Sequence, residues 1–177
     1  MAASDHLFAL LAAADEIPSR TMLQKLVYLS ANQAGEELPF AAHFYGPYSS
    51  NLQDELEELV AAGLVRETTI HLDPWEPTPF DVVQYRYRLT DTGREMAAAV
   101  PEDTRRVADR VVGAAHRAHA WNQGSLSIAA KLHHLRRINP EVGDDAIPDL
   151  AKQFGWKITE QAARRGARLL DDLEVRP

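Results

Sequence analysis

Between Val82 and Leu89, the apolar residues Val83, Tyr85, Tyr87 and Leu89 alternate with Gln84, Arg86 and Arg88. A period of two places one set on each face, the pattern of a half-buried strand. Such a strand needs a partner, and Leu64 to Leu72, rich in Val, Thr and Ile, supplies one. The nine intervening residues, with Pro74, Pro77 and Pro79, make the connection a long-loop hairpin. Upstream, Ser4 can cap a first helix whose Leu7, Phe8, Leu10, Leu11 and Ala14 form a broad apolar face. Ser19 can cap a second, from about Arg20 to Gln33, with Gly35 as its stop. There Met22, Leu23, Leu26, Val27 and Leu29 cover most of the circumference, which implies burial on several sides. The aromatic spacing of Leu38 to Tyr45 predicts a short strand ended by Gly46-Pro47. Ser49 or Ser50 caps a third helix striped by Leu52, Leu56, Leu59 and Val60, closed by Ala62-Gly63. A short helix, Thr90 to Val100, follows the hairpin. This order is the plan of a winged helix-turn-helix.

Pro101 marks a boundary. Residues 102–120 read as helix, with Val107, Val111 and Ala114-Ala115 on one side. Asn122-Gln123-Gly124 breaks it, and Ser125 or Ser127 caps a helix to about Ile138, stopped by Asn139-Pro140. Asp144 or Asp145 then caps a helix through Phe154. Gly155 to Ile158 turns, and Thr159 caps a last helix to about Glu174. The expected fold is therefore mostly α with a small β wing. A winged-helix domain spans residues 1–100, and a helical domain spans 101–177 with a second helix-turn-helix at about 144–174.

The 177 residues, 45% apolar, are enough to bury a core without metal or disulfide. With no Cys, thiol catalysis, Fe–S clusters and Cys-type zinc sites are excluded. No apolar run reaches transmembrane length, and the N-terminal residues lack the basic region of a signal peptide, so a cytoplasmic protein is expected. The chain has no phosphate loop, dinucleotide fingerprint, Ser-nucleophile elbow or His-Glu-x-x-His. His116 and His119 lie three apart, and His133 and His134 are adjacent on the next helix. No acidic ligand accompanies them, and Arg117, Arg136 and Arg137 oppose a cation. The imidazoles are expected to be solvated or to face nucleic acid. The acid pairs Asp15-Glu16, Glu36-Glu37 and Asp144-Asp145 fit helix ends. Neither enzyme nor cofactor is expected.

Charge is unevenly placed. The net −7 resolves into six basic and fifteen acidic side chains in residues 1–100, and thirteen and eleven in 101–177. On the third helix, with Leu52 and Leu56 inward, Asp54, Glu57 and Glu58 centre the outward face and Glu55 lies at its margin. That face repels phosphate although the fold places a DNA reader there. Asp73, Glu76 and Asp81 give the wing loop the same sign. Only Arg86 and Arg88 on the return strand favour nucleic acid. Between 105 and 137, by contrast, Arg105, Arg106, Arg110, Arg117, Lys131, Arg136 and Arg137 face Asp109 alone. On the last helix, Gln161, Arg164, Arg165 and Arg168 share one exposed side. Such a band can track phosphates, or its arginines can pair with the acidic N-terminal half.

Met22-Leu23-Gln24-Lys25-Leu26-Val27-Tyr28-Leu29 and Phe44-Tyr45-Gly46-Pro47-Tyr48-Ser49 stand out together. Their spacing resembles the YwgA-type proteins of bacteria and archaea and, more distantly, the Panacea (SocA-like antitoxin) family. In these a Lys-Leu-Gln-Lys-Leu-x-Tyr helix precedes an aromatic-Gly-Pro turn. The first Lys of that pattern is Thr21 or Met22 here. Leu89-Thr90-Asp91-Thr92-Gly93 looks like the close of many winged-helix domains. The resemblance covers about residues 5–98 and implies a small non-catalytic regulator, sometimes an antitoxin that binds a protein toxin.

Two expectations of different class follow. One is an antitoxin-like interaction protein that binds a protein partner through Tyr45, Tyr48, Asp54, Glu57 and Glu58, with double-stranded DNA on the basic C-terminal unit. The other is a transcription regulator, a homodimeric helix-turn-helix repressor. Tyr28, Tyr45 and Tyr48 are expected to cluster near the Gly-Pro turn, either as core-edge aromatics or as a partner surface.

Overall fold

The computed structural model describes residues 3–72, 82–141 and 143–175. Asp73, Glu76, Asp81 and the prolines of the wing loop lie outside them. Helices α1 (Ala3–Ala14), α2 (Arg20–Gln33) and α3 (Ser50–Ala61) precede strands β1 (Val65–Leu72) and β2 (Val82–Leu89). Then come α4 (Asp91–Ala98), α5 (Glu102–Arg117), α6 (Gln123–Ile138), a 3₁₀ turn (Asp144–Ala146), α7 (Ile147–Gln153) and α8 (Glu160–Asp172). This is a helix-rich chain with one two-stranded antiparallel hairpin, winged-helix-like in its general architecture.

Local chemistry explains most of the starts. Ser19, Ser49, Thr90 and Thr159 sit in extended backbone and accept from the amides of Met22, Leu52, Gly93 and Ala162. Three expected caps are corrected. Neither Asp144 nor Asp145 caps α7: both lie in the 3₁₀ turn, and Ala146 stands at the N-cap with no side-chain bond. Ser4 lies inside α1, its amide taken by the Glu55 carboxylate of α3. Asn122, rather than Ser125 or Ser127, caps α6, because its extended backbone (φ −155°, ψ 156°) lets its side chain reach the Ser125 amide. The helix predicted over 102–120 ends at Arg117, and His119 takes a left-handed φ of 52°, which removes it from the face of His116.

The strand expected at Leu38 to Tyr45 does not form. Only Ala41 and Tyr48 pair, closing a loop around the turn at His43 to Gly46. An isolated extended segment needs a neighbouring strand to satisfy its backbone, and here the His43 carbonyl turns instead to the Gly46 amide and the Trp156 indole.

The hairpin runs in register from Val65↔Leu89 to Leu72↔Val82. Ile17 pairs with Tyr87 on the other edge of β2, with both amide–carbonyl bonds at 3.0 Å. Gly93 explains the Leu-Thr-x-x-Gly close: a Cβ there would stand 2.0 Å from the Leu64 carbonyl oxygen. Thr90 hydroxyl donates to the Gly63 and Leu64 carbonyls, fixing the same contact.

Helix α2 is buried from Met22 through Ala31, so every side of it is covered, as its composition predicts. Helix α1 packs on α5, α2 on α6, and α6 on α8. The buried apolar side chains form one cluster that runs from Leu7 and Leu26 through Val111 and Leu132 to Leu169. Each such Leu or Val contributes roughly 1.5–3 kcal/mol by leaving water. At α8, Gly166 permits the close approach, since a Cβ would lie 3.0 Å from Ile128 Cγ2.

Candidate functional site

The two halves of the aromatic-Gly-Pro motif are bound together by α2. The Gln24 side chain donates to the Ser49 carbonyl at 2.9 Å and accepts from the Ser49 amide at 3.0 Å. One residue on, Lys25 Nζ donates to the Pro47 carbonyl at 2.6 Å. Gly46 adopts φ 104°, closed to side chains by strain, and the space its Cβ would fill touches Lys25 Cε and Lys131 Cγ. The motif therefore clamps a turn against a helix, with polar side chains meeting a backbone that no strand meets.

This turn presents Phe44 and Tyr45 to solvent, 68% and 49% exposed, their rings edge to face at 4.9 Å. The sequence signal for Phe44 is its place beside Gly46-Pro47, next to Tyr45. Tyr45, Tyr48 and Glu57 line one depression of about 240 Å³ with Arg20, Lys25 and His43. Asp54 and Glu58 stand exposed on the outward side of α3 and make no ion pair among the described residues. Glu55, placed by sequence at the margin, turns inward to α1, where burial raises its pKa.

Of the three tyrosines expected to cluster at the turn, Tyr45 and Tyr48 share that depression and Tyr28 does not. Tyr28 is buried against Phe40 and His133, Tyr45 faces Phe44, and Tyr48 faces His43. His133 and His134 are buried too, which corrects the expectation of solvated or nucleic-acid-facing imidazoles there. His116 is exposed and stacks on Trp121.

The basic residues do not form one continuous band but meet different partners. Arg106 pairs with Glu102 and Asp103, Arg110 with Glu174, and Arg164 with Glu160 within the C-terminal half. Arg137 reaches Glu37 at 3.4 Å across to the N-terminal half, and Arg105 donates to the Val100 carbonyl. Lys131 is half-buried, with its ammonium over the Trp156 ring. Arg136 and Arg164 line a depression of about 340 Å³ between α6 and α8. Gln161, Arg165 and Arg168 line a larger cleft of about 740 Å³ beside His119. Arg117, Arg165 and Arg168 make no ion pair among the described residues. On the return strand, Arg86 and Arg88 are already held by Glu16 at 3.2 and 2.8 Å.

One buried constellation has the form of a nucleophile, base and acid. Ser30 Oγ lies 2.9 Å from His6 Nδ1, and His6 Nε2 lies 3.3 Å from Glu36 Oε2. Ser30 and His6 are both fully buried, so no substrate reaches the hydroxyl. The set ties α1 to α2 and to the loop beyond it. Among the described residues no group of three or more His, Asp or Glu is arranged to hold a metal. None of the helices there is long and apolar enough to cross a membrane.

Fold and surfaces together define a mostly helical, winged-helix-like chain carrying an aromatic turn beside an acidic helix. No known family profile matches the chain. Over 82 residues it is 37% identical to a Bacillus subtilis (strain 168) protein whose name reads "Uncharacterized protein YwgA". That stretch is 44% of this chain and 43% of the Bacillus protein, so the chain spans less than half the length of the relative it matches.

Proposed function

We propose that this chain is a non-catalytic, antitoxin-like regulatory protein that binds a basic protein partner through α3 and the turn before it. The observation that carries the reading is the exposed Phe44–Tyr45 pair beside Asp54, Glu57 and Glu58. Exposed aromatics on a rigid support are the usual anchors of an interface, and carboxylates without intramolecular countercharge favour a cationic partner. The clamp by Gln24 and Lys25 supplies the rigidity. The resemblance to SocA-like antitoxins supports the same class. Affinity purification of the chain is expected to retain a basic protein, lost when Asp54, Glu57 and Glu58 are all reversed to Lys. Unchanged retention after reversal removes α3 from the interface.

A second reading, a homodimeric DNA-binding repressor, is favoured by the unpaired Arg165 and Arg168 beside Gln161 on the exposed side of α8. Arginine and glutamine on such a helix are suited to phosphate and base edges. A mobility shift with the DNA upstream of the coding region tests it: salt-sensitive binding abolished by R165E/R168E supports it, and no shift at low salt rejects it.

A further inference from the structure

Four lysines occur in the chain, and two of them meet beneath the Gly46-Pro47 turn. Lys25 Cε and Lys131 Cε lie 3.4 and 3.6 Å from the same point, the position of a Gly46 Cβ. Lys25 is 1% exposed. Its single hydrogen-bond acceptor is the Pro47 carbonyl, and no carboxylate pairs with either lysine among the described residues. An ammonium carries three donors, so the charged form would leave two of them unmet in a site without countercharge. Burial, and then the charge of Lys131, lower the Lys25 pKa to about 7. Burial also lowers that of Lys131. About half of the Lys25 amines therefore carry a free lone pair at pH 7, against roughly one in three thousand for an ordinary lysine.

A nucleophilic amine in a nearly closed site admits only a small, uncharged electrophile. The product must also suit a place where the charge acting on Lys25 is the ammonium of Lys131, held over the Trp156 ring. We propose that Lys25 is a carbamate-forming site for carbon dioxide, with Lys131 as the countercharge. The Nζ lone pair bonds to the carbon of CO2, one C=O electron pair moves onto oxygen, and Nζ releases a proton to solvent. An amine and CO2 thus give an N-carboxylate and H⁺, with no oxidant or reductant. The carbamate nitrogen keeps one hydrogen for the Pro47 carbonyl, and its carboxylate gains the cation that the amine lacked. The depression of about 240 Å³ that Lys25 lines gives entry, past Thr21 and Tyr48. The other charged or titratable groups on its wall are Arg20, held by Glu67, and His43, Tyr45 and Glu57; His134 and Arg137 lie on the α6 side. Lys152 and Lys157 are exposed and serve as the comparison lysines.

The test is chemical trapping of the full chain in ¹³C-bicarbonate at pH 7.5 with triethyloxonium, followed by peptide mass mapping. An ethylated carboxyl adduct is expected on Lys25 and not on Lys152 or Lys157, with the adduct on the chain's α-amine as internal control. Lys131→Met, which leaves Lys25 in place, is expected to lower the Lys25 yield at least threefold. An adduct on the α-amine with none on Lys25 overturns the site. An undiminished Lys25 yield in Lys131→Met overturns the role given to Lys131.

Discussion

Tyr28 Oη lies 2.7 Å from His133 Nδ1, and both side chains are buried, so one hydrogen bond joins α2 to α6 across 105 positions of sequence. Burial holds the Tyr28 phenol well above its ordinary pKa, so it remains a neutral hydroxyl at any physiological pH. Tyr28→Phe keeps the ring against Phe40 but strips His133 Nδ1 of this partner. Losing a buried hydrogen bond of this kind costs about 1 kcal/mol. Urea denaturation of Tyr28→Phe, His133→Leu and the double variant should give a coupling of about 1 kcal/mol; additive losses would show that the bond is idle.

Stability should rise with pH above neutrality. Lys25 has a folded pKa of about 7 against 10.5 unfolded, so between these values the unfolded chain binds the extra proton. Folding is then favoured progressively from pH 7 upward, by up to about 1.4 kcal/mol per pH unit for one proton. Lys131 acts in the same direction. Tyr28 and Tyr87, both held above 10, oppose it only beyond that pH. Chemical denaturation at pH 7, 8 and 9 should show the rise, and Lys25→Met should flatten most of it.

Gly93→Ala and Gly63→Ala should separate steric from conformational cost. A Cβ at Gly93 would meet the Leu64 carbonyl at 2.0 Å, and that carbonyl is pinned by Thr90. Loss of about 3 kcal/mol or more is expected. Gly63 has a φ of 70° with open space around it, so only the left-handed backbone penalty of about 1 kcal/mol applies. Equal thermal shifts would show that β1 and α4 can part at little cost.

Phe44→Ser, Tyr45→Ser and the triple reversal of Asp54, Glu57 and Glu58 should each leave Tm within about 2 °C, since exposed side chains outside the ion-pair set contribute little to stability. Calorimetry on these variants decides whether any lost partner binding reflects the surface or the fold.

Short-range chemistry was the most legible part of the sequence. A Ser or Thr in extended backbone before an apolar stripe fixes a helix start within its own turn, so Ser19 and Thr159 are legible as caps and Ser49 as one of two candidates, while Thr90, expected as the first helical residue, is the cap of α4. The alternation of Val83 to Leu89 likewise carries its own period. The segment from Leu38 to Tyr45 differs because its backbone meets Tyr48, the Gly46 amide and the distant Trp156 indole, not a neighbouring strand. His133 and His134 failed for a related reason. Polar residues read as solvated unless their partners are visible, and Tyr28 lies more than a hundred positions away. Charge placed Asp54, Glu57 and Glu58 outward but said nothing of Phe44, whose exposure depends on the clamp beneath it. Lys25 looked like one polar position in a helix; only its burial without a carboxylate marks it out.

Trp156 Nε1 donates to the His43 carbonyl at 2.7 Å, tying the turn that carries Phe44 and Tyr45 to the loop that leads into α8. A ligand that displaces His43 must stretch or break that bond, and the free energy involved is common to both ends. By thermodynamic reciprocity, whatever binding at the aromatic turn does to affinity on α8, binding on α8 does equally to the turn. A single indole thus spans the gap between the aromatic turn and the loop before α8.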